Sequence, residues 1–109
     1  MPKIRIMIVD DHPIVREGLV SVLKRDEEFE IVGEAPDGRT AVKRAVSLKP
    51  DLILMDIQLP EVSGLDVTKW LKEDEELKTI PVIAVTAFAM KGDEQKIRNG
   101  GCDGYIAKP

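Results

Sequence analysis

Short apolar runs and segments of helical period alternate along the whole chain. Ile4–Val9 is almost uniformly apolar and predicts a strand. His12-Pro13 follows as an N-cap residue and a proline at the first helical position. Val15, Leu19, Val22 and Leu23 then fall on one helical face, which predicts a helix to about Lys24. Residues 30–35 form a short second strand, placed at an edge. Asp37-Gly38 predicts a turn, and Ala41, Ala45 and Leu48 mark a second helix that stops before Pro50. Residues 52–55 are apolar without alternation, the pattern of a strand buried on both faces. Ser63 and Asp66 have capping-box spacing, and Val67 and Leu71 continue a third helix. Residues 81–86 predict a fourth strand. Asp93 and Glu94 open a short fourth helix, which Gly100-Gly101 stops. Residues 105–107 predict a fifth strand, followed by Lys108-Pro109.

This (βα)₄β pattern predicts an α/β fold, a doubly wound five-stranded parallel sheet with right-handed crossovers. With strand order 2-1-3-4-5, the first helix alone covers one face and the other three cover the opposite face. A fifth helix after Pro109 would complete the thin face. The expectation is apolar surface exposed beside the first helix, and self-association, a swapped element or low stability as its consequence.

Size and composition narrow the class. The 109 residues suit one domain, 1–109, with no linker, repeat or output domain. A chain of this size buries roughly two-thirds of its unfolded surface, enough for one core. The net charge of −4 argues against nonspecific binding to nucleic acid or to an anionic membrane. Cys102 is the single cysteine, so no internal disulfide forms and a reducing compartment fits. Its expected role is a small side chain before a turn. Lys3 and Arg5 interrupt the apolar start, so no signal peptide is read, and no run is long enough to span a bilayer. A cytoplasmic location is the default. Glu73-Asp74-Glu75-Glu76 reads as a solvated acidic helix end.

The chemistry lies at the strand ends. The first strand ends in Asp10-Asp11 and the third in Asp56. In a parallel sheet these ends face one crevice, where open α/β sheets bind ligands. Two carboxylates 4 Å apart repel by about 4 kcal/mol at an effective dielectric near 20. A proton or a cation must offset that, and oxygen-rich acidic sites favour magnesium. Thr86 ends the fourth strand and Lys108 follows the fifth.

The set Asp10-Asp11, Asp56, Thr86 and Lys108-Pro109 resembles the receiver domains of two-component response regulators. Asp56 lies 45 residues after Asp11, Thr86 lies 30 after Asp56, and Lys108 lies 52 after Asp56. These separations are similar to the family's, as are Met55-Asp56-Ile57-Gln58-Leu59-Pro60 and Gly104-Tyr105-Ile106-Ala107-Lys108-Pro109. The resemblance spans essentially the whole chain and implies a flavodoxin-like fold lacking its usual fifth helix. It implies that Asp56 is the phosphoacceptor, attacking phosphorus to form an acyl phosphate. Asp11, Asp56 and the Gln58 backbone carbonyl would hold Mg²⁺, with Asp10 acting through water. Lys108 would pair with Asp56 and then with a phosphoryl oxygen, and Thr86 would donate its hydroxyl to another. Thr86 and Tyr105 would form the conformational switch, by population shift between two states. The Lys108-Pro109 bond would be cis, as in the family. The implied partner is a histidine kinase or a phosphotransfer protein. Gln58 and Phe88 would flank the phosphoryl group and tune its hydrolysis.

Two other readings use the same residues. In a phosphatase with an aspartyl-phosphate intermediate, a second aspartate stands two residues after the nucleophile; here that position is Gln58. A noncatalytic α/β interaction scaffold, or a truncated or engineered receiver, would keep the fold and lose the chemistry. The stretch from Asp10 to Leu19 resembles receivers that carry helix-turn-helix outputs. The stretches Trp70-Leu71-Lys72 and Thr86 to Glu94 resemble stand-alone receivers. His12 is read as a cap-region residue, and Trp70 as a residue that packs against or shields the third helix.

Overall fold

The computed structural model describes residues 3–86 and 91–107. Strands and helices alternate as β1 (Ile4–Val9), α1 (Pro13–Lys24), β2 (Phe29–Ala35), α2 (Gly38–Leu48), β3 (Leu52–Asp56), α3 (Gly64–Glu73), β4 (Val82–Thr86), α4 (Lys91–Asn99) and β5 (Gly104–Ala107). The five strands form one parallel sheet in the order β2-β1-β3-β4-β5.

Local chemistry sets most of the helix ends. Asp37 is the N-cap of α2 rather than only a turn residue: its carboxylate accepts from the Thr40 N–H at 2.7 Å. That backbone bond, with further help from the Thr40 side chain, holds the Asp37 carboxyl below its ordinary value. Ser63 caps α3 by accepting from the Leu65 N–H at 3.1 Å, one residue earlier than a capping box would use; Asp66 stands in the same first turn. At the end of α4, Gly100 donates to Lys96 O at 3.0 Å and Gly101 takes φ 100°, a left-handed conformation that glycine adopts without strain.

Two apolar layers lie on the two faces of the sheet, because successive strand residues point to opposite sides. Met7, Val9, Ile53, Met55, Val82 and Ala84 pack with Ala41 and Ala45 of α2, Val67 and Leu71 of α3, and Ile97 of α4. Ile6, Ile8, Leu54 and Val85 pack with Leu19 of α1. Burying a side chain such as Ile53 or Leu71 contributes about 1.5–3 kcal/mol. The division of helices, three on one face and one on the other, is the expected one. Ile106 pairs beside Val85, whose side chain lies in the α1 layer, and is 44% exposed. Apolar surface is therefore open on the α1 face at Ile106 of β5, and Ile14 and Val22 of α1 itself are also exposed.

Where β4 and β5 begin, Lys72 of α3 donates to Ile80 O at 2.9 Å and to Asp103 Oδ2 at 2.8 Å. The same carboxylate oxygen accepts from the Val82 N–H at 2.8 Å. Partial burial pushes the Asp103 carboxyl up, but the Lys72 and Val82 hydrogen bonds and the Lys72 charge outweigh it, so the net displacement is downward. Cys102 is buried, with its Sγ 3.8 Å from Thr68 Oγ1, and burial pushes its thiol up. This fits the structural role expected of it.

Candidate functional site

Strand register assembles the site. Val9 pairs with Met55, so the next residues, Asp10 and Asp56, come out side by side at the ends of β1 and β3. Asp56 pairs with Val85, which puts Thr86 one step further along β4. Thr86 in turn pairs with Ala107 on β5. Asp10, Asp56 and Thr86 are all buried, with 1%, 1% and 6% exposure. Three polar side chains buried at one end of an otherwise apolar sheet are costly for folding unless they meet partners.

Asp10, Asp11, His12 and Asp56 each offer a ligand atom, and these atoms lie within 4.8 Å of one another. Both buried aspartates are fixed by the same short-range device. His12 N–H donates to Asp10 Oδ1 at 2.8 Å, and Gln58 N–H donates to Asp56 Oδ1 at 3.0 Å. Each bond joins a carboxylate to the amide two residues on, the Asx-turn geometry. Gln58 is thereby held against the phosphoacceptor candidate. Arg16 of α1 donates from Nη1 to the Asp10 backbone carbonyl and pairs with Glu34 at 3.4 Å, anchoring the β1–α1 loop.

The set is chemically suited to a hard divalent cation. Asp11 Oδ1 is buried and accepts no hydrogen bond among the described residues. A carboxylate oxygen in that condition favours a cation or a proton. Carboxylates from the β1–α1 loop and the end of β3, with Asp11 about one-third exposed, also match an ion that keeps several of its waters.

Tyr105 on β5 is partly buried and packs on the layer formed by α2, α3 and α4. Lys108 and Phe88 lie outside the described residues, as does the Lys108-Pro109 bond. Trp70 is 47% exposed and lines a groove of about 300 Å³ with Val42, Pro60 and Val62, apart from the acidic cluster.

Sequence reasoning missed two features. His12 occupies the N-cap of α1, but its ring makes no capping bond; Nδ1 turns into the cluster, 3.1 Å from Asp10 Oδ1 and 3.0 Å from Asp11 Oδ1. His12 does stand at the cap position read from the sequence; what that reading left out is the ring's place beside the carboxylates. The signal was its place two residues after Asp10, the position an Asx turn folds back. Gly64 is the second. A Cβ built there would lie 2.0 Å from the Asp56 carbonyl oxygen, so only glycine lets α3 start this close to the end of β3.

Comparison with known proteins agrees with this geometry. The response regulator receiver domain matches residues 6–109. The chain belongs to the response regulator receiver family. It is 57% identical to the polar-differentiation response regulator DivK of Brucella anthropi, over all of this chain and 86% of that protein. The receiver domain of the putative response regulator NarL from Mycobacterium tuberculosis superposes with a TM-score of 0.91 at 30% identity, covering 99% of this chain and 86% of that one. The response regulator domain of Thermotoga maritima CheB gives 0.88 at 31% identity, covering 98% and 79%. This receiver is therefore a two-component signalling domain of flavodoxin-like fold, from a family that works with Mg²⁺ at an acidic site and with histidine kinases or phosphotransfer proteins. Among the described residues, no helix is long and apolar enough to cross a membrane.

Proposed function

We propose that this receiver works in the cytoplasm and that its Asp56 takes a phosphoryl group from a phosphohistidine on a histidine kinase or phosphotransfer protein. An Asp56 carboxylate oxygen attacks phosphorus, a P–O bond forms as the P–N bond breaks, and the electron pair leaves with the imidazole. The product is an acyl phosphate on Asp56. The reading rests on one observation: Asp56 is buried at the end of the central strand, beside Asp10 and one step from Thr86.

Asp11, Asp56 and the Gln58 backbone carbonyl would hold Mg²⁺, with Asp10 reaching it through water. The ion would neutralise charge on the transferring group. Thr86 Oγ1 would donate to one phosphoryl oxygen, and the Lys108 ammonium would pair with another. Drawing Thr86 towards the phosphoryl group would vacate space beside β5, and the half-buried Tyr105 ring would turn into it. The two states would differ in the surface of α4 and β5, with phosphate contacts biasing their populations. The domain, residues 1–109, would also self-associate through the open face around Ile106.

The experiment is phosphorylation by a small acyl phosphate donor with Mg²⁺, read by intact mass. One added phosphoryl group, absent in Asp56→Asn and without Mg²⁺, supports the reading. An unmodified wild-type chain would favour the noncatalytic scaffold, and steady phosphate release from varied esters would favour a phosphatase.

A further inference from the structure

Trp70 is the chain's single tryptophan, and its ring is 47% exposed. The groove of about 300 Å³ that it lines has Val42 of α2 and Val62 of the β3–α3 loop as its other apolar walls. That volume is at the lower end for small-molecule sites, and an apolar lining with a few polar groups is their usual composition. Two backbone features build the groove. Gly38 at the start of α2 leaves no room for a side chain: a Cβ there would lie 2.5 Å from Val67 Cγ2 and 2.9 Å from Val62 Cγ2, so α2 closes down on α3 and the loop. On the loop side, the Val62 N–H donates to the Pro60 carbonyl at 2.8 Å across Glu61, whose φ is 68°. This is a γ-turn about a left-handed residue that carries a side chain, a strained conformation of the kind that concentrates at ligand clamps and switches.

The charged groups are divided between the walls. Arg39 and Lys43, one helical turn apart, come from α2, and Glu61 comes from the loop. None of the three enters an ion pair among the described residues. Asp37, also on the lining, is taken up by the Thr40 N–H. The groove therefore offers two cations on one side, a carboxylate on the other, and an indole ring. We propose that it binds a small zwitterion carrying an aromatic ring, of the aromatic amino-acid class. The ligand's ring stacks on Trp70. Its carboxylate pairs with Arg39 and Lys43, and its ammonium with Glu61. A simple anion would meet Glu61 as a like charge, and a simple cation would meet Arg39 and Lys43. A ligand with both charges satisfies both walls. None of these residues belongs to the acidic cluster, so the site stands apart from phosphotransfer.

The test uses three probes that share a ring and differ in charge: L-phenylalanine, 3-phenylpropanoate and phenethylamine. Each is titrated into the full chain and followed by NMR, through the amide signals and the Trp70 indole N–H. The proteins are wild type, Glu61→Gln, the double variant Arg39→Gln with Lys43→Gln, and Trp70→Leu, with thermal melting to confirm that each is folded. Phenylalanine should bind wild type most tightly and move the signals of residues 38–43, 61 and 62 and of the indole. Glu61→Gln should weaken phenylalanine and phenethylamine by roughly fivefold, the upper end for an exposed ion pair, and leave 3-phenylpropanoate no weaker. The double variant should weaken phenylalanine and 3-phenylpropanoate by about fivefold or more and spare phenethylamine. Trp70→Leu should weaken all three. The proposal is overturned if phenylalanine moves no signal at the limit of its solubility, or moves signals centred elsewhere. Probes that respond alike to both charge variants, or full affinity kept in Trp70→Leu, overturn it as well.

Discussion

Gly64 packs directly over Asp56: a methyl group on the Gly64 α-carbon would sit 2.0 Å from the Asp56 carbonyl oxygen. The contact is backbone against backbone, reinforced by the Gly64 N–H bond to Ile57 O at 2.7 Å. No side-chain rotation relieves it, so Gly64→Ala must push the start of α3 away from β3. Overpacking of this kind costs about 1–3 kcal/mol. Urea unfolding should show that loss, and acyl-phosphate labelling of Asp56 should slow. A variant as stable as wild type would show that the β3–α3 loop yields freely.

The acidic cluster should oppose folding when no cation is bound. Asp11→Asn removes one of its three carboxylates, and since Asp11 is about one-third exposed, the gain should be only about 1 kcal/mol. The variant should melt higher than wild type in chelator. Mg²⁺ at 100 times its Kd should then stabilise wild type by about 2.7 kcal/mol and leave the variant unmoved. Equal responses to Mg²⁺ would remove Asp11 from the ion's ligands.

Asp103 ties β4 to α3 through Val82 and Lys72. Its carboxyl is held below the ordinary value of 3.8. A depressed carboxyl stabilises the fold above its unfolded value, and that contribution fades as pH falls through the folded one. Asp103→Asn should therefore destabilise the fold at neutral pH, by less than about 1 kcal/mol because Asp103 is about half exposed. The gap between variant and wild type should close only below the unfolded carboxyl value. A gap already closed at pH 6 would contradict this sign.

The Cys102 thiol is buried and pushed above its ordinary 9.0. Little thiolate forms at neutral pH, and what forms is shielded. A water-soluble disulfide reagent should label the folded chain on the order of 100-fold more slowly than the urea-unfolded chain. Comparable rates would mean that the region around β5 opens readily.

Ile106 presents an exposed apolar side chain on the α1 face of the sheet, over β5. Ile106→Lys should shift sedimentation at high concentration towards the monomer. If wild type already sediments as a compact monomer there, the open face does not drive association.

Residue order along the chain was enough to set the alternation of strands and helices and to put Asp10, Asp11, Asp56 and Thr86 at strand ends, because apolar period and strand-end position are local properties. The roles proposed for those residues came from the resemblance to receivers, and the division of helices between the faces from the strand order 2-1-3-4-5. Residue order could not place the His12 ring in the acidic cluster, because a histidine before a helix-starting proline is equally a capping residue until the loop's turn is known. Nor could it show that Gly64 must lack a side chain, since that depends on where α3 begins relative to β3. Which atoms approach across elements distant in the chain is decided by register and packing, and those exist only once the sheet has formed.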